Sequence, residues 1–251
     1  MTTTTTKTKT KTKTAPRIWL VTGAAGALGS ELVCQLLRSG DDCIALDRNQ
    51  RGLNALHNRC EDLGLPPPAL VPLDLIGASS EDYDALAETI EAQFGRLDGL
   101  IHNAAQMPAL RPLAHQDAAE WLHGLQWGLT GPVWLTRALL PLMTGSRNVS
   151  GGIQQRAQIV WVGDQSVIDQ PANWGVYGLV QAGRQWIASA FSAELGPRAP
   201  RVRVLDPGPF FSPLRTAAWP AQRPDEVPTA QQAASNLLAQ IRADVEGEAH
   251  G

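Results

Sequence analysis

Ile18-Trp19-Leu20-Val21-Thr22-Gly23-Ala24-Ala25-Gly26-Ala27-Leu28-Gly29 is the stretch that decides the fold. An apolar run of strand length leads straight into glycines spaced three apart. Beyond them, apolar residues recur at helical spacing from Ala27 to Arg38, and Gly40 is a natural stop. The reading is strand, tight turn, helix. Glycines in such a turn let the backbone bend sharply and let a ligand approach it closely. The helix that follows offers free N–H groups and the positive end of its dipole, which together attract anions. Thr22, Gly23, Gly26, Leu28 and Gly29 are therefore candidate contacts for a phosphate-bearing ligand.

The alternation continues outward. Strands are expected at 43–47, 69–74, 97–103, 159–162 and 201–205. Helices are expected at about 50–63, 81–94, 117–143 and 174–195, the third weakened by Gly124, Gly128, Gly131 and Pro132. Pro72 places the 69–74 strand at a margin, because proline cannot donate to a ladder. Buried-looking strands alternating with helices predict an α/β fold, one doubly wound parallel sheet of about six strands. A helix over 231–245 closes the pattern, with no residues for a further strand after it. The expected organisation is a Thr/Lys-rich disordered tail over 1–16, one domain over 17–247 and a flexible end over 248–251.

The 251 residues suffice for one large domain with a substantial core. No apolar run approaches the roughly 20 residues that span a bilayer. The net charge is −3, and four lysines (Lys7, Lys9, Lys11, Lys13) lie in the tail, so the body is more acidic still. That argues against nucleic acid as a partner. Cys34, Cys43 and Cys60 lack metal-ligand spacing and read as reduced thiols of a cytoplasmic protein. His102, His115 and His123 are scattered, and no metal site is expected.

A second set of residues gives the chain a family likeness. Tyr177 lies at the start of a helix, and Gly163-Asp164 follows the 159–162 strand. Asn103-Ala104-Ala105 follows the fourth strand, and Pro207-Gly208 follows the sixth. With the glycine loop, these resemble the short-chain dehydrogenase/reductase family, from about Arg17 to Leu214. The resemblance implies a Rossmann-like fold, a nicotinamide dinucleotide and oxidoreduction of a small alcohol or carbonyl compound. Asp47 ends the second strand, where a carboxylate can accept from ribose hydroxyls and repel a 2′-phosphate, which favours NAD over NADP. Arg48, next in the chain, counters part of that repulsion. Asp74 resembles the adenine-contacting aspartate, Asn103 the asparagine of the Asn-Ala-Gly motif, and Pro207-Gly208 the loop near the nicotinamide.

In that family the tyrosine is the proton donor, with a lysine four residues on and a serine thirteen back. Here those positions hold Gln181 and Asp164, and the helix asparagine falls on Gly128. A phenol ionises near pH 10, and bringing that to about 7 takes roughly 4 kcal/mol of preferential stabilisation of the phenolate. Gln181 has no charge to supply it, although it can hydrogen-bond a ribose hydroxyl. Arg184 is two helical turns past Tyr177, too far along the helix for an easy substitute. An ionised Asp164 cannot donate to a carbonyl and raises the phenol further. Ser166, two residues on, would share a strand face with Asp164 and could come nearer the substrate. The expectation is a dinucleotide-binding protein whose hydride transfer is weak or lost. Two alternatives remain: a non-catalytic sensor or partner subunit, and a non-redox enzyme using Asp164 and Tyr177 as acid and base. Gly128 would let Trp127 turn into the pocket, and Phe210, Phe211 and Trp219 would form an apolar wall. Assembly is expected as a homodimer through the two long helices rather than a tetramer.

Overall fold

The computed structural model describes residues 15–144, 147–148, 154–196 and 199–247. The tail expected over 1–16 lies outside these except for Ala15 and Pro16, as does the flexible end expected over 248–251. Pro16 is anchored, its carbonyl accepting from Arg96 Nη2 at 2.9 Å.

Six parallel strands form one sheet: β1 (Ile18–Thr22), β2 (Asp42–Asp47), β3 (Ala69–Pro72), β4 (Gly99–His102), β5 (Gln158–Val162) and β6 (Arg201–Leu205). Their order across the sheet is β3-β2-β1-β4-β5-β6. The chain thus starts in the middle, winds to one edge, returns and winds to the other. Between β1 and β4 the winding reverses direction, leaving a crevice at the carboxyl ends of those strands, where doubly wound sheets bind ligands. β1 is buried along its whole length, with Leu20 opposite Ile44 on one side and Leu100 on the other. β3 is an edge strand, as Pro72 requires. It ends at Pro72, so Asp74 stands two residues beyond it. A short antiparallel ribbon, Arg147–Asn148 with Gln154–Gln155, stands apart from the sheet.

Helices cover both faces. On one lie α1 (Ala27–Arg38), α2 (Gln50–Asp62) and the C-terminal α9 (Ala230–Gly247). Leu32, Leu36, Leu53, Leu56, Leu237 and Ile241 pack there against Trp19, Val21 and Ala45. On the other lie α3 (Ser80–Phe94), α5 (Gly131–Met143) and α7 (Gly175–Glu194), whose Tyr83, Ile90, Leu135, Leu139 and Ala188 meet Leu20, Ile44, Ile159 and Trp161. Local signals set several boundaries. Ser79 and Asp82 form a reciprocal capping box on α3, and Gly95 (φ +70°) ends it in the left-handed conformation. The long helix expected over 117–143 is one rod with an interruption. It runs as α4 (Ala118–Leu125), a π turn (Gln126–Thr130) and α5.

Two short helices carry the loops over the crevice: α6 (Gln165–Asp169) and α8 (Pro213–Ala218). The cysteines come together in the core. Cys34 Sγ is 3.9 Å from Cys60 Sγ, and burial pushes Cys60 up to about 12, which keeps it a thiol. Among the described residues no helix is long and apolar enough to cross a membrane.

Candidate functional site

The glycine turn is built as a cradle with no spare volume. Gly23 is left-handed (φ +64°), and a Cβ on it would lie 2.7 Å from Ala104 Cα. A Cβ on Gly29 would lie 2.1 Å from Gly23 O and 2.9 Å from Ala24 Cα. Asn103 fastens the turn to β4, its Nδ2 donating to Thr22 O (3.0 Å) and Gly23 O (3.1 Å). Thr22 is fully buried, and its Oγ1 accepts from the N–H groups of Asn103 and Ala104, both at 3.1 Å. It is therefore a stitch between β1 and β4, not the ligand contact expected of it. Gly26 precedes α1 and has no side chain to cap it, so the first-turn N–H groups of that helix stay available to an anion.

A cleft of about 270 Å³ opens from this cradle. Gly23, Gly26, Asp47, Arg48, Asp74 and Trp127 all line it. Asp47 is already committed: Oδ2 accepts from Ala25 N (3.0 Å) and Oδ1 from Asn49 N (2.9 Å). Its carboxylate thus clips the glycine turn to the start of α2. Asp74 folds its own loop, Oδ1 accepting from Ile76 N at 3.1 Å. Trp127 is 4% exposed and lines this cleft, and the space at Gly128 that was expected to admit it is taken by Val180.

A second cavity of about 380 Å³ lies beyond the cradle, over the ends of β5 and β6. Leu28, Asn103, Asp164, Tyr177, Gln181 and Pro207-Gly208 meet there, together with Arg184, Trp174 and Trp219. Sequence and structure agree on bringing Tyr177, Asp164 and Gln181 to one place. Tyr177 is buried, flanked by Trp174 (ring centroids 5.8 Å apart) and Trp127 (6.5 Å). Burial pushes its phenol well above the usual value, and the Asp164 charge pushes the same way. Arg184 and a hydrogen bond from Gln181 oppose them.

Ser166 differs from expectation. β5 ends at Val162, so Asp164 and Ser166 share no strand face. Asp164 is the extended residue before α6, and Ser166 lies on that helix. Ser166 Oγ donates to Asp164 Oδ1 at 2.6 Å, leaving that proton unavailable to a substrate. Phe210 and Trp219 line the cavity and Phe211 does not, being 38% exposed.

Arg184 is the residue that sequence spacing underestimated. It is 2% exposed and shares the cavity wall with Tyr177. Its three nitrogens donate to backbone carbonyls: Nη1 to Val162 (2.6 Å), Nη2 to Ala104 (2.9 Å) and Nε to Gly128 (3.4 Å). Helical side chains lean toward the N-terminus, which brings a long side chain back over the turn that carries Gln181. Burial pulls Arg184 down to about 10, which leaves it charged at neutral pH. Asp206 was also missed. Oδ2 accepts from Gln165 N (2.8 Å) and Oδ1 from Gly208 N (2.7 Å), so one carboxylate sets both loops of the cavity. The Asp-x-Gly pattern of a side-chain turn was its signal.

His102 is a core residue. Its Nε2 pairs with Thr136 Oγ1 at 2.8 Å, and burial pushes it down to about 3. Among the described residues no cluster of potential ligands could hold a metal.

The α4–α5 rod and α7 approach closely along a line of glycines. A Cβ on Gly124 would lie 2.5 Å from Val176 Cγ2, and one on Gly128 2.5 Å from Val180 Cγ2. The absence of a side chain at 128 is thus a packing requirement.

Comparison with known proteins agrees with this geometry. The short chain dehydrogenase family model matches residues 17–223. The uncharacterized oxidoreductase YciK of Escherichia coli is 29% identical over 214 residues, 85% of this chain and 81% of its own. A Shigella flexneri short chain dehydrogenase solved with NADP superposes with a TM-score of 0.78 at 29% identity, covering 86% of each chain. One from E. coli CFT073, solved with NADPH, gives 0.76 at 30% identity over 85% of each chain.

Proposed function

Because the chain belongs to the short-chain dehydrogenase/reductase family, we propose that it binds NADP(H) and works in the carbonyl-reducing direction on a small, mainly apolar substrate. Alcohol oxidation at neutral pH is weak or lost. The observation that carries the first part is the cradle: a glycine turn packed too tightly for a Cβ at Gly23 or Gly29 opens α1 with no side chain capping its first-turn N–H groups, the arrangement that suits a pyrophosphate. NADP(H) replaces the NAD that Asp47 alone favours, for two reasons. Arg48 lines the cleft beside Asp47 and can meet a 2′-phosphate, while the two backbone N–H groups that Asp47 accepts from offset part of its charge. The Shigella and E. coli relatives were solved with NADP and NADPH.

When bound, the nicotinamide supplies or accepts hydride. The chain's own residues handle the proton. A phenol held well above its usual ionisation stays protonated at neutral pH and can give its proton to a reduced carbonyl oxygen. The same shift makes it a poor base for taking a proton from an alcohol. Asp164 cannot polarise a carbonyl, since an ionised carboxylate has no hydrogen to donate. Trp174, Trp219, Phe210 and Leu214 give the cavity its apolar character.

Titration by tryptophan quenching tests the cofactor reading. NADPH is expected to bind about tenfold or more tightly than NADH, through a charged hydrogen bond to the 2′-phosphate. A preference for NADH would return the assignment to NAD, and no quenching by either would end the dinucleotide reading.

We further propose a homodimer. Leu122 on α4, Trp134 on α5, and Leu179 and Trp186 on α7 are exposed apolar side chains, Trp186 at 73%. All four stand on the α4–α5 rod and α7, the two long helices, and a contiguous apolar patch there would mark an interface. Sedimentation at micromolar concentration should give about twice the chain mass, and a monomer would refute the assignment. The three unpaired thiols fit a reducing cytoplasm.

A further inference from the structure

The folded body contains no lysine. All four lie in the first fourteen residues, so the only permanent side-chain cation available to the body is arginine. One arginine, Arg184, is buried at the cavity with its three nitrogens on the carbonyls of Val162, Ala104 and Gly128. The Gly128 carbonyl lies in the π turn, where the helical ladder is interrupted; such turns cluster at functional sites. Among the described residues no carboxylate lies within ion-pair distance of Arg184. Holding a charge in the interior without a counter-ion is expensive. Three carbonyls need donors, but they do not need a charge.

The second observation is at Gln181, also 2% exposed and on the same wall. Its side chain acts on the Tyr177 phenol, favouring the ionised form against burial. Its Oε1 is buried with no hydrogen-bond partner. A buried acceptor left empty costs about 1–3 kcal/mol unless a donor fills it. The cavity is where such a donor would come from. Asp164 and Asp206 border the same space, but both have partners of their own: Ser166 for the first, two backbone N–H groups for the second. Arg215 is at the mouth, stacked 4.3 Å over Trp219.

We propose that the two jobs the family gives to one lysine are divided here: Arg184 supplies the positive charge, and Gln181 Oε1 accepts a hydrogen bond from a hydroxyl of the nicotinamide ribose. Gln181 then stands between that ribose and Tyr177, and Arg184 holds the charge on the same cavity wall. This rests on the NADP(H) reading above and adds which residues grip the nicotinamide half. It also explains why a lysine at 181 would fit badly. An ammonium there would share the cavity wall with a buried guanidinium that, among the described residues, has no carboxylate within ion-pair distance.

Binding of two ligands separates this from a structural role. NADPH carries the nicotinamide half, and 2′-phospho-ADP lacks it. Tryptophan quenching is measured for the native chain and for Arg184→Met, Arg184→Lys and Gln181→Leu. Arg184→Met and Gln181→Leu are each expected to weaken NADPH about tenfold, the size of one hydrogen bond or charge contact, with 2′-phospho-ADP within about twofold. Arg184→Lys, which keeps the charge, should recover most of the NADPH affinity. The proposal is overturned if Arg184→Met and Gln181→Leu bind NADPH like the native chain, or if both ligands weaken in parallel. If Arg184→Met does not fold, Gln181→Leu decides by the same two criteria, and an Arg184→Lys chain that folds but loses NADPH affinity overturns the role given to the charge. A native chain that binds neither ligand removes the cofactor reading and this one with it. A native chain that binds both, with variants that do not discriminate, removes this one alone.

Discussion

Gly29→Ala is expected to lower dinucleotide affinity about 100-fold or more while leaving a folded domain. The added methyl would meet Gly23 O at 2.1 Å and Ala24 Cα at 2.9 Å. Both are backbone atoms, so neither can rotate aside. Relief requires moving the glycine turn away from α1, which displaces the N–H groups that would face a pyrophosphate. Asn103 and Asp47 resist that movement, since they tie the turn to β4 and to α2. The cost to the fold is that of a small overpacked site, about 1–3 kcal/mol. NADPH titration and urea denaturation of the same sample read the two effects separately. Unchanged affinity with lowered stability would mean that the turn is only structural.

The second large effect is in pH dependence. Tyr177 is raised first by burial and next by the Asp164 charge, with Arg184 and Gln181 only partly offsetting them. A raised phenol is protonated below its ionisation point and becomes a base only above it. Carbonyl reduction should therefore be flat from about pH 6 to 9, since the acid form is present throughout. Alcohol oxidation should climb about tenfold per pH unit, with no plateau below about pH 10, because it needs the phenolate. Tyr177→Phe should cut reduction about 10²–10⁴-fold, the usual contribution of a positioned acid. Initial rates of NADPH consumption and formation across pH provide the check. A plateau in oxidation near pH 7 would show an activated phenol and contradict the assignment.

The elements that position the site were legible because their signals are local. The α1 reading, Ala27 to Arg38, needs only apolar spacing and a glycine stop. Pro72 put β3 at an edge without knowledge of its neighbours. The gathering of Tyr177, Asp164 and Gln181 was legible from the family pattern. What escaped depended on side-chain reach or on short elements. α6 has five residues and α8 six, too few for periodicity to show. Reading 164–166 as strand put Ser166 toward the substrate, whereas it lies on α6 and donates to Asp164. Arg184 was judged by the rise between Cα atoms, whereas a guanidinium ends several bonds away and leans toward the N-terminus. The preference for NAD treated Asp47 as free, and the bonds it accepts from Ala25 N and Asn49 N depend on the folded turn, which spacing does not show.

The seam between the α4–α5 rod and α7 bears on whether this site could return to the family's arrangement. An asparagine at 128 would drive its Cβ into Val180, one residue before Gln181. A lysine at 181 would face a guanidinium that is itself anchored on the Gly128 carbonyl. Each replacement is therefore opposed by a neighbour already in place, Val180 for the first and Arg184 for the second. Restoring the family residue at 128 asks for a smaller side chain at 180, and restoring it at 181 asks for a neutral one at 184, so neither position can be restored alone.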